Sequence, residues 1–183
     1  MKVRFIPAVF LMTVGLLAVK SAFAIDGTID FSGEITANTC DVKVDSSSTG
    51  STTVTLPAVS TSAFSGANSV AGTTAFNISL SNCSIDTDTT VSTYFEPGAY
   101  TNNNGRLSQS HASGATGVDI QLLNSAQSAM NLFASQGSQN DVGTTMNIGE
   151  TSAVLTYYAQ YFATGTVSAG PVTSQVSYSV VYD

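Results

Sequence analysis

Few residues of this sequence have the chemistry that catalysis needs. The chain of 183 residues holds a single histidine, His111, in a stretch rich in Ser and Gly that is typical of a surface loop. Nucleophilic and general acid–base catalysis depend on a histidine, a reactive cysteine or paired carboxylates in mutual contact. No GxSxG or comparable motif supplies partners for His111. The sequence therefore predicts no catalytic residue and no enzyme activity.

Two acidic residues, Asp86 and Asp88, come nearest to a cation site. Their spacing suits a calcium-binding loop, but neither the glycine nor the distal glutamate of an EF-hand follows at the required position. A solvated turn accounts for both carboxylates more simply. We expect no metal site and no cofactor.

The first 24 residues have the form of an export signal. Two basic residues precede an apolar run at positions 5–19, and Ala22-Phe23-Ala24 gives the small-x-small pattern that a signal peptidase recognises. Pro7 interrupts the run, which is also shorter than the roughly 20 apolar residues of a membrane-spanning helix. We predict that residues 1–24 are removed and that the mature chain begins at Ile25.

Export decides how the two cysteines, Cys40 and Cys83, are interpreted. In an oxidising compartment such a pair favours a disulfide over two free thiols or a metal site, and the CxxC spacing of redox motifs is missing. The bond would close a loop of about 44 residues and stabilise the fold by about 4 kcal/mol in the chain-entropy description.

The charge balance excludes several classes of protein. Only 9% of the residues are charged, against a usual fraction of about 25%, which argues against a coiled coil or a highly charged disordered chain. After loss of the export signal, Lys43 and Arg106 remain against all twelve acidic residues, a formal charge of −10. A nucleic-acid backbone would be repelled, so no nucleic-acid partner is expected.

The mature N-terminus shows the most regular pattern of the chain. Apolar residues or glycines occupy every odd position from Ile25 to Ile35, and polar residues occupy every even position from 26 to 36. This alternation predicts an extended strand. Twelve residues reach about 40 Å, roughly twice the usual strand length.

The rest of the chain predicts short strands separated by turns. Alternating or aromatic segments lie at 76–81, 118–122, 157–162 and from Val172 to Tyr182, and a weak helical pattern occurs only at 122–133. Turn-rich runs such as 45–53 separate them. The pattern indicates one all-β domain, an Ig-like β-sandwich.

Four segments, taken in order, resemble the type 1 fimbrial subunit family of the bacterial chaperone-usher pathway. They are GTIDFSGEI at 27–35, FNISLSNC at 76–83, YYAQYFATG at 157–165, and a C-terminal strand whose penultimate residue is Tyr182. With the export signal they span the mature chain. Asp183 departs from the family pattern, but the family uses the terminal carboxylate rather than the last side chain.

The resemblance implies a sandwich that lacks its final strand and is completed by a donor strand from a neighbouring subunit. It divides the chain into a signal peptide at 1–24, a donor extension at 25–36 and an Ig-like pilin domain at 37–183. The missing strand would leave a hydrophobic groove. The donor side chains entering this groove would be Ile29, Phe31 and Ile35, with Gly33 where the groove is too shallow for a side chain. The alternative is that this segment is the first strand of its own sandwich.

The resemblance also assigns the C-terminal strand to the groove. Val176, Tyr178 and Val180 would pair with the edge of a periplasmic chaperone, whose basic cleft would hold the carboxylate of Asp183. Tyr182 would pack at the end of the core, and ordinary sandwich packing remains an equal interpretation for it.

The implied function is a structural subunit of a fimbria on the cell surface, reached through the periplasm, that supports adhesion. Its implied partners are copies of itself or related pilins, a periplasmic chaperone, an outer-membrane usher and, through the fibre, a host receptor. The alternative is a minor adaptor or adhesin-type subunit that binds a receptor or carbohydrate. Two-domain tip adhesins are longer and carry a lectin domain where this chain has its extension, which favours the structural role.

Overall fold

The computed structural model of the protein describes residues 39–183, and this part of the chain consists of strands, turns and loops. The strands are β1 (Thr39–Val44), β2 (Val70–Ser84), β3 (Thr89–Glu96), β4 (Leu107–Ser108), β5 (Val118–Leu123), β6 (Thr144–Met146), β7 (Ser152–Ala163) and β8 (Ser177–Tyr182). A single 3-10 turn in this part of the chain, Thr61–Ala63, lies between β1 and β2. None of the helices among these residues is long and apolar enough to cross a membrane.

The strands form two antiparallel sheets. The larger sheet has the order β1-β2-β7-β5-β4, and the smaller has the order β6-β3-β8. Consecutive strands repeatedly change sheets, as in a Greek-key sandwich. The predicted Ig-like β-sandwich is therefore confirmed.

Apolar side chains at alternate positions of the strands fill the core between the sheets. On β2, Phe76, Ile78 and Leu80 are buried while the residues between them are more exposed, and Val91 and Phe95 of β3 face them from the smaller sheet. The period of two places one apolar set on the inner face of each sheet. The segment predicted at 157–162 lies in β7, at the centre of the larger sheet between β2 and β5.

One irregularity interrupts the pairing of β2 with β7, between Ala71 and Thr74. Gly72 lies there with φ of +68°, and a Cβ atom at this position would stand 2.9 Å from the ring of Tyr161. Both the backbone angle and the close ring favour glycine at this bulge.

The disulfide predicted from the cysteine pair is present between Cys40 and Cys83, with an S–S distance of 2.03 Å. It joins β1, at the edge of the larger sheet, to its neighbour β2. The covalent bond therefore holds the edge strand in place beside the core.

The last strand is shorter than its alternation predicts. The pattern begins at Val172, but β8 begins only at Ser177. Before that point the carbonyl of Thr173 accepts a hydrogen bond from the Ser110 N–H at 2.7 Å. The backbone of this segment is therefore held by the loop after β4 and does not continue the ladder with β3.

The weak helical pattern at 122–133, from which no helix is predicted, forms no helix in the structure. β5 ends at Leu123, and the side-chain oxygen of the buried Asn124 then accepts hydrogen bonds from the N–H groups of Ala126 and Ser128, each at 3.0 Å. An Asn side chain that binds the following backbone competes with helix formation and fixes a turn.

Candidate functional site

One edge of the smaller sheet is open. β8 pairs with β3 along its whole length, and its other edge has no strand partner among residues 39–183. An unpaired edge presents a row of backbone donors and acceptors that another strand can use. This edge borders the cleft that we call the acceptor groove.

The acceptor groove lies between the two sheets and encloses about 970 Å³. Its two walls are residues 50–54 with Leu56 on the side of β1, and residues 174–178 leading into β8. Its apolar floor consists of Phe76, Phe95, Leu107, Ile120, Leu122 and Ala159. The groove is thus a gap in the core of the sandwich, since most of its floor residues are themselves core residues.

Four side chains of the C-terminal segment point toward the core, and two of them, Val176 and Tyr178, line the groove. Val176, Tyr178, Val180 and Tyr182 all pack against the core yet remain only half-buried. In β3, on the paired side of β8, the inward-facing Phe95 is 2% exposed. On its open side β8 has no strand partner among the described residues, and its inward side chains stay more exposed than Phe95. The structure therefore places Val176 and Tyr178 at the groove and Val180 and Tyr182 further along β8, and their role in pairing stays a prediction.

Two tyrosines of β8 reach β1 and the loop that follows it. The hydroxyl of Tyr178 donates to the carbonyl of Gly50 at 2.7 Å, and the hydroxyl of Tyr182 hydrogen-bonds to the backbone of Cys40. Burial raises the pKa of both tyrosines, and in Tyr182 the Cys40 backbone opposes that rise. Both phenols are therefore neutral near pH 7 and act as hydrogen-bond donors or acceptors.

The final residue, Asp183, is held by β3. Its N–H donates to the Thr90 carbonyl at 2.9 Å, and its own carbonyl oxygen accepts from the Thr90 N–H at 2.7 Å and from the Thr89 hydroxyl at 3.0 Å. The Asp183 side chain is not part of this pairing. The chain terminus is thus fixed at one end of the open edge.

The predicted donor residues Ile29, Phe31, Gly33 and Ile35 lie outside the described residues. Their placement in a groove therefore stays a prediction.

The wall formed by residues 50–56 was not identified from the sequence as part of a site. The sequence predicts only turns for residues 45–53, yet Val54 and Leu56 just beyond them pack against the core. Their spacing by two was a signal that this stretch is extended with one face inward.

The opposite edge of the smaller sheet is closed by side chains. Beyond the short pairing with β6, the N–H of Thr93 donates to the Asp141 carboxylate at 2.7 Å, and the N–H of Phe95 donates to Gln139 Oε1 at 3.0 Å. These polar side chains take the place of a further strand along β3. The smaller sheet consequently offers β8 as its open edge within the described part of the chain.

The residues weighed for catalysis and metal binding have local structural roles. His111 is exposed, and its Nδ1 accepts a hydrogen bond from the Ser113 N–H at 3.2 Å. Asp88 accepts from the Ile148 N–H at 2.8 Å. Across residues 39–183 no group of three His, Cys, Asp or Glu residues is placed to hold a metal ion.

A two-sheet antiparallel sandwich with a groove in its core beside an open C-terminal strand defines the class of immunoglobulin-like pilin domains. Within that class the chain belongs to the type-1 fimbrial protein A family, FimA, whose family model matches residues 56–183. It is a structural subunit of an extracellular fimbria that assembles with related subunits.

Relatives match the chain over almost its whole length. The F17 fimbrial protein of Escherichia coli is 38% identical over 92% of this chain and 95% of its own. The major fimbrial subunit SMF-1 of Stenotrophomonas maltophilia is 39% identical over 89% of this chain and 96% of its own. These relatives favour a structural subunit over the alternative of an adaptor or adhesin.

Solved structures share the fold. A type I fimbria protein and antigen of Burkholderia pseudomallei is 27% identical, with a TM-score of 0.51, and the match covers 79% of this chain and 95% of that one. The P pilus rod subunit PapA is 15% identical with a TM-score of 0.54, over 78% of this chain and 99% of that one, and supports the fold alone.

Proposed function

We propose that this subunit polymerises by donor-strand exchange, with residues 25–36 of one copy occupying the acceptor groove of the next. The observation that carries the proposal is the unpaired edge of β8 beside a gap of about 970 Å³ in the core. A strand added at this edge gains backbone hydrogen bonds and places alternate side chains in the gap. The segment 25–36 supplies that alternation.

The donor segment is long enough to cover the whole edge. On the C-terminal side the groove is lined by Ser174 to Tyr178, and β8 continues the edge to Tyr182. These nine residues extend about 30 Å, and the donor segment of twelve residues extends about 40 Å. Burying the side chains of Ile29, Phe31 and Ile35 contributes roughly 5–9 kcal/mol before the entropic cost of association. The surplus of donor length leaves residues to connect neighbouring domains.

The apolar floor of the groove needs cover before assembly, because an exposed edge beside apolar side chains promotes aggregation. We therefore assign the same open edge to a periplasmic chaperone, with Val176, Tyr178 and Val180 beside its added strand and Tyr182 at the end of the core. The terminal carboxylate of Asp183 would bind its basic cleft. The chaperone would then deliver the subunit to an outer-membrane usher. Through the usher the subunit would pass from the periplasm to the cell surface. The finished fibre supports adhesion, including through a host receptor, and the subunit itself is not an enzyme.

The experiment compares the full-length chain with a variant lacking residues 25–36, each produced with its chaperone in cells whose own copy of the gene is removed. Surface fibres are read as ladders on unboiled denaturing gels. We expect the deletion variant to reach the chaperone-bound state and to form no ladder. A matched control replaces only even-numbered residues of the segment, Thr28 and Ser32, by alanine and should assemble normally. Ladders from the deletion variant would overturn the proposal.

A further inference from the structure

We infer that the turn at 147–150 is a docking surface for another copy of the chain in the fibre, an inference that rests on the donor-strand exchange proposed above. Its occupant is the pair of loops at 109–117 and 164–173 of that copy, which we call the far loops. The turn carries Ile148, whose side chain is 66% exposed, more than any other large apolar side chain in the described part of the chain. A single exposed isoleucine is ordinary on a protein surface, so its position and its surroundings decide what it can do.

Hydrogen bonds hold the turn in one conformation. The N–H of Ile148 donates to the Asp88 carboxylate at 2.8 Å. The carboxylate of Glu150 accepts from the Asn147 N–H at 2.9 Å, and the Glu150 N–H donates to the Asn147 carbonyl at 3.0 Å. Because the backbone around Ile148 is already bonded, a partner that covers this side chain orders little of the chain, and the entropic cost of the contact is small.

The turn lies at the end of the sandwich from which the N-terminal extension leaves, which we call the extension end. Thr39, the first residue of β1, pairs with Ser84, the last residue of β2. The carbonyl of the next residue, Ile85, accepts a hydrogen bond from the Gly149 N–H at 3.2 Å. The exit point of the extension and the turn that carries Ile148 are therefore neighbours.

The extension brings another copy close to this end. Two residues, Ala37 and Asn38, separate Thr39 from the donor segment at 25–36. At about 3.8 Å for each step between Cα atoms, the Cα atoms of residues 36 and 39 stand at most about 11 Å apart. The copy that holds the donor segment therefore contacts the extension end, and this short length of chain identifies a second copy of the subunit as the occupant.

Charge selects the surface of that copy. Four exposed acidic residues lie at the extension end: Asp86, Asp88, Glu150 and Asp183. Two extension ends in contact would bring two such sets together, and like charges across an interface are destabilising. The far loops contain no Asp, Glu, Lys or Arg. They are a surface on which the acidic end can rest without opposing another carboxylate.

The far loops lie at the opposite end of the sandwich and offer small apolar side chains. β7 begins beside the extension end, where Ser152 pairs with Ser81, and leads at its other end into the loop at 164–173. The Ala115 N–H donates to the Pro171 carbonyl at 2.9 Å, which joins the two loops. Their exposed apolar residues are Ala112, Ala169 and Pro171. Small side chains of this kind leave room for the branched side chain of Ile148, and the contact removes apolar surface from water.

The first test measures thiol reactivity in fibres of the full-length chain. Ile148→Cys is compared with Val154→Cys, which replaces a 56% exposed side chain of β7. For each variant the rate of reaction with a maleimide in fibres is divided by the rate in boiled, denatured subunits. We expect the thiol of Ile148→Cys to react at least about ten-fold more slowly in fibres than that of Val154→Cys. Equal rates, or protection in the chaperone-bound subunit that is lost in fibres, would overturn the inference.

The second test changes the charge of the far loops. Ala169→Asp sets a carboxylate against the acidic extension end and should reduce ladders by about five-fold or more, measured per chaperone-bound subunit. The matched control Ala169→Lys places a long side chain of opposite charge at the same position and should form ladders to within about two-fold of the unmodified chain. Val154→Asp adds a carboxylate outside the contact and should also assemble normally. Equal losses from the two changes at Ala169 would contradict the docking surface.

The inference and the proposed function fail in different ways. If deletion of residues 25–36 leaves ladders intact, donor-strand exchange by this segment is wrong. If the deletion abolishes ladders but the thiol of Ile148→Cys stays reactive in fibres, donor-strand exchange stands and only the contact made by the turn at 147–150 falls.

Discussion

The side-chain amide of Gln139 serves Phe95 as a neighbouring strand would: its Oε1 accepts from the Phe95 N–H at 3.0 Å, and its Nε2 donates to the Phe95 carbonyl at 2.6 Å. Gln139 is 2% exposed, so both bonds are shielded from water. The same Nε2 also contacts the carbonyl of Leu132 at 3.1 Å. One glutamine thus closes the edge of β3 that faces away from β8.

Replacing Gln139 by leucine should destabilise the mature subunit by about 2–4 kcal/mol, because the N–H and carbonyl of Phe95 would stay buried without partners. The measurement is the urea midpoint of unfolding followed by circular dichroism. Gln136, exposed in the same loop, provides the control, and Gln136→Leu should change stability by less than about 0.5 kcal/mol. Equal effects of the two changes would contradict this role for Gln139.

Replacing both Cys40 and Cys83 by serine should lower the stability of the mature subunit by about 4 kcal/mol. The bond spans a sequence separation of 43 residues and ties edge strand β1 to β2. Losing it enlarges the unfolded ensemble and frees the strand beside the groove. Urea unfolding under oxidising and reducing conditions measures the effect, and the serine variant should be insensitive to reductant. A stability difference of less than about 1 kcal/mol would count against the disulfide as a main stabilising bond.

Arg106 should stabilise the outer face of the larger sheet far more than Lys43, the other Lys or Arg among residues 39–183. Its Nε donates to the Asp119 carboxylate at 3.0 Å, and its guanidinium carbon lies 4.0 Å from the centre of the Phe162 ring. Arg106→Gln loses a partly buried ion pair and a cation–π contact, and we expect a loss of about 1–3 kcal/mol. Thermal unfolding measures it.

The control for Arg106 is Lys43→Gln, which removes the same charge from an exposed position on β1. Surface charges contribute about 0–1 kcal/mol, so this variant should unfold close to the unmodified protein. A larger loss from Lys43→Gln than from Arg106→Gln would show that net charge, rather than the contacts of Arg106, determines the effect.

Stability should fall at alkaline pH because of Tyr157. Burial raises the pKa of this tyrosine well above its usual value, and the nearby Asp141 carboxylate, 3.0 Å from the hydroxyl, adds to the rise. The neutral phenol is thus favoured in the folded state, and its contribution is fully present below the unfolded pKa of about 10. As pH rises above that value the unfolded state loses its proton first, so folding becomes less favourable.

Unfolding midpoints measured between about pH 8 and pH 11.5 test this expectation. Tyr157→Phe should be less stable at neutral pH, because it loses the bond to Asp141, and should show a shallower decline above about pH 10. Burial also raises the pKa of Tyr161, Tyr178 and Tyr182, so some decline remains in the variant. A decline unchanged by Tyr157→Phe would contradict the assignment.

The sequence predicted strands correctly where apolar and polar residues alternate clearly or aromatic residues cluster. The alternation at 76–81 and 118–122 and the aromatic run at 157–162 lie in β2, β5 and β7, because period two directly reports a sheet with one buried face. The weak helical pattern at 122–133 forms no helix because the side chain of Asn124 binds the following backbone and fixes a turn. The strand expected from Val172 begins later because Thr173 bonds to Ser110, far away in sequence.

The sequence by itself determined the strand-rich class, the cysteine pair, the alternating segment at 25–36 and the family, since all of these depend on residue type and local spacing. The tertiary structure alone decided that residues 50–56 form the second wall of the groove and that Tyr178 reaches Gly50. These relations join residues up to 128 positions apart. Spacing along the chain carries no record of them, because they arise only when the two sheets pack and leave the space of one strand unfilled.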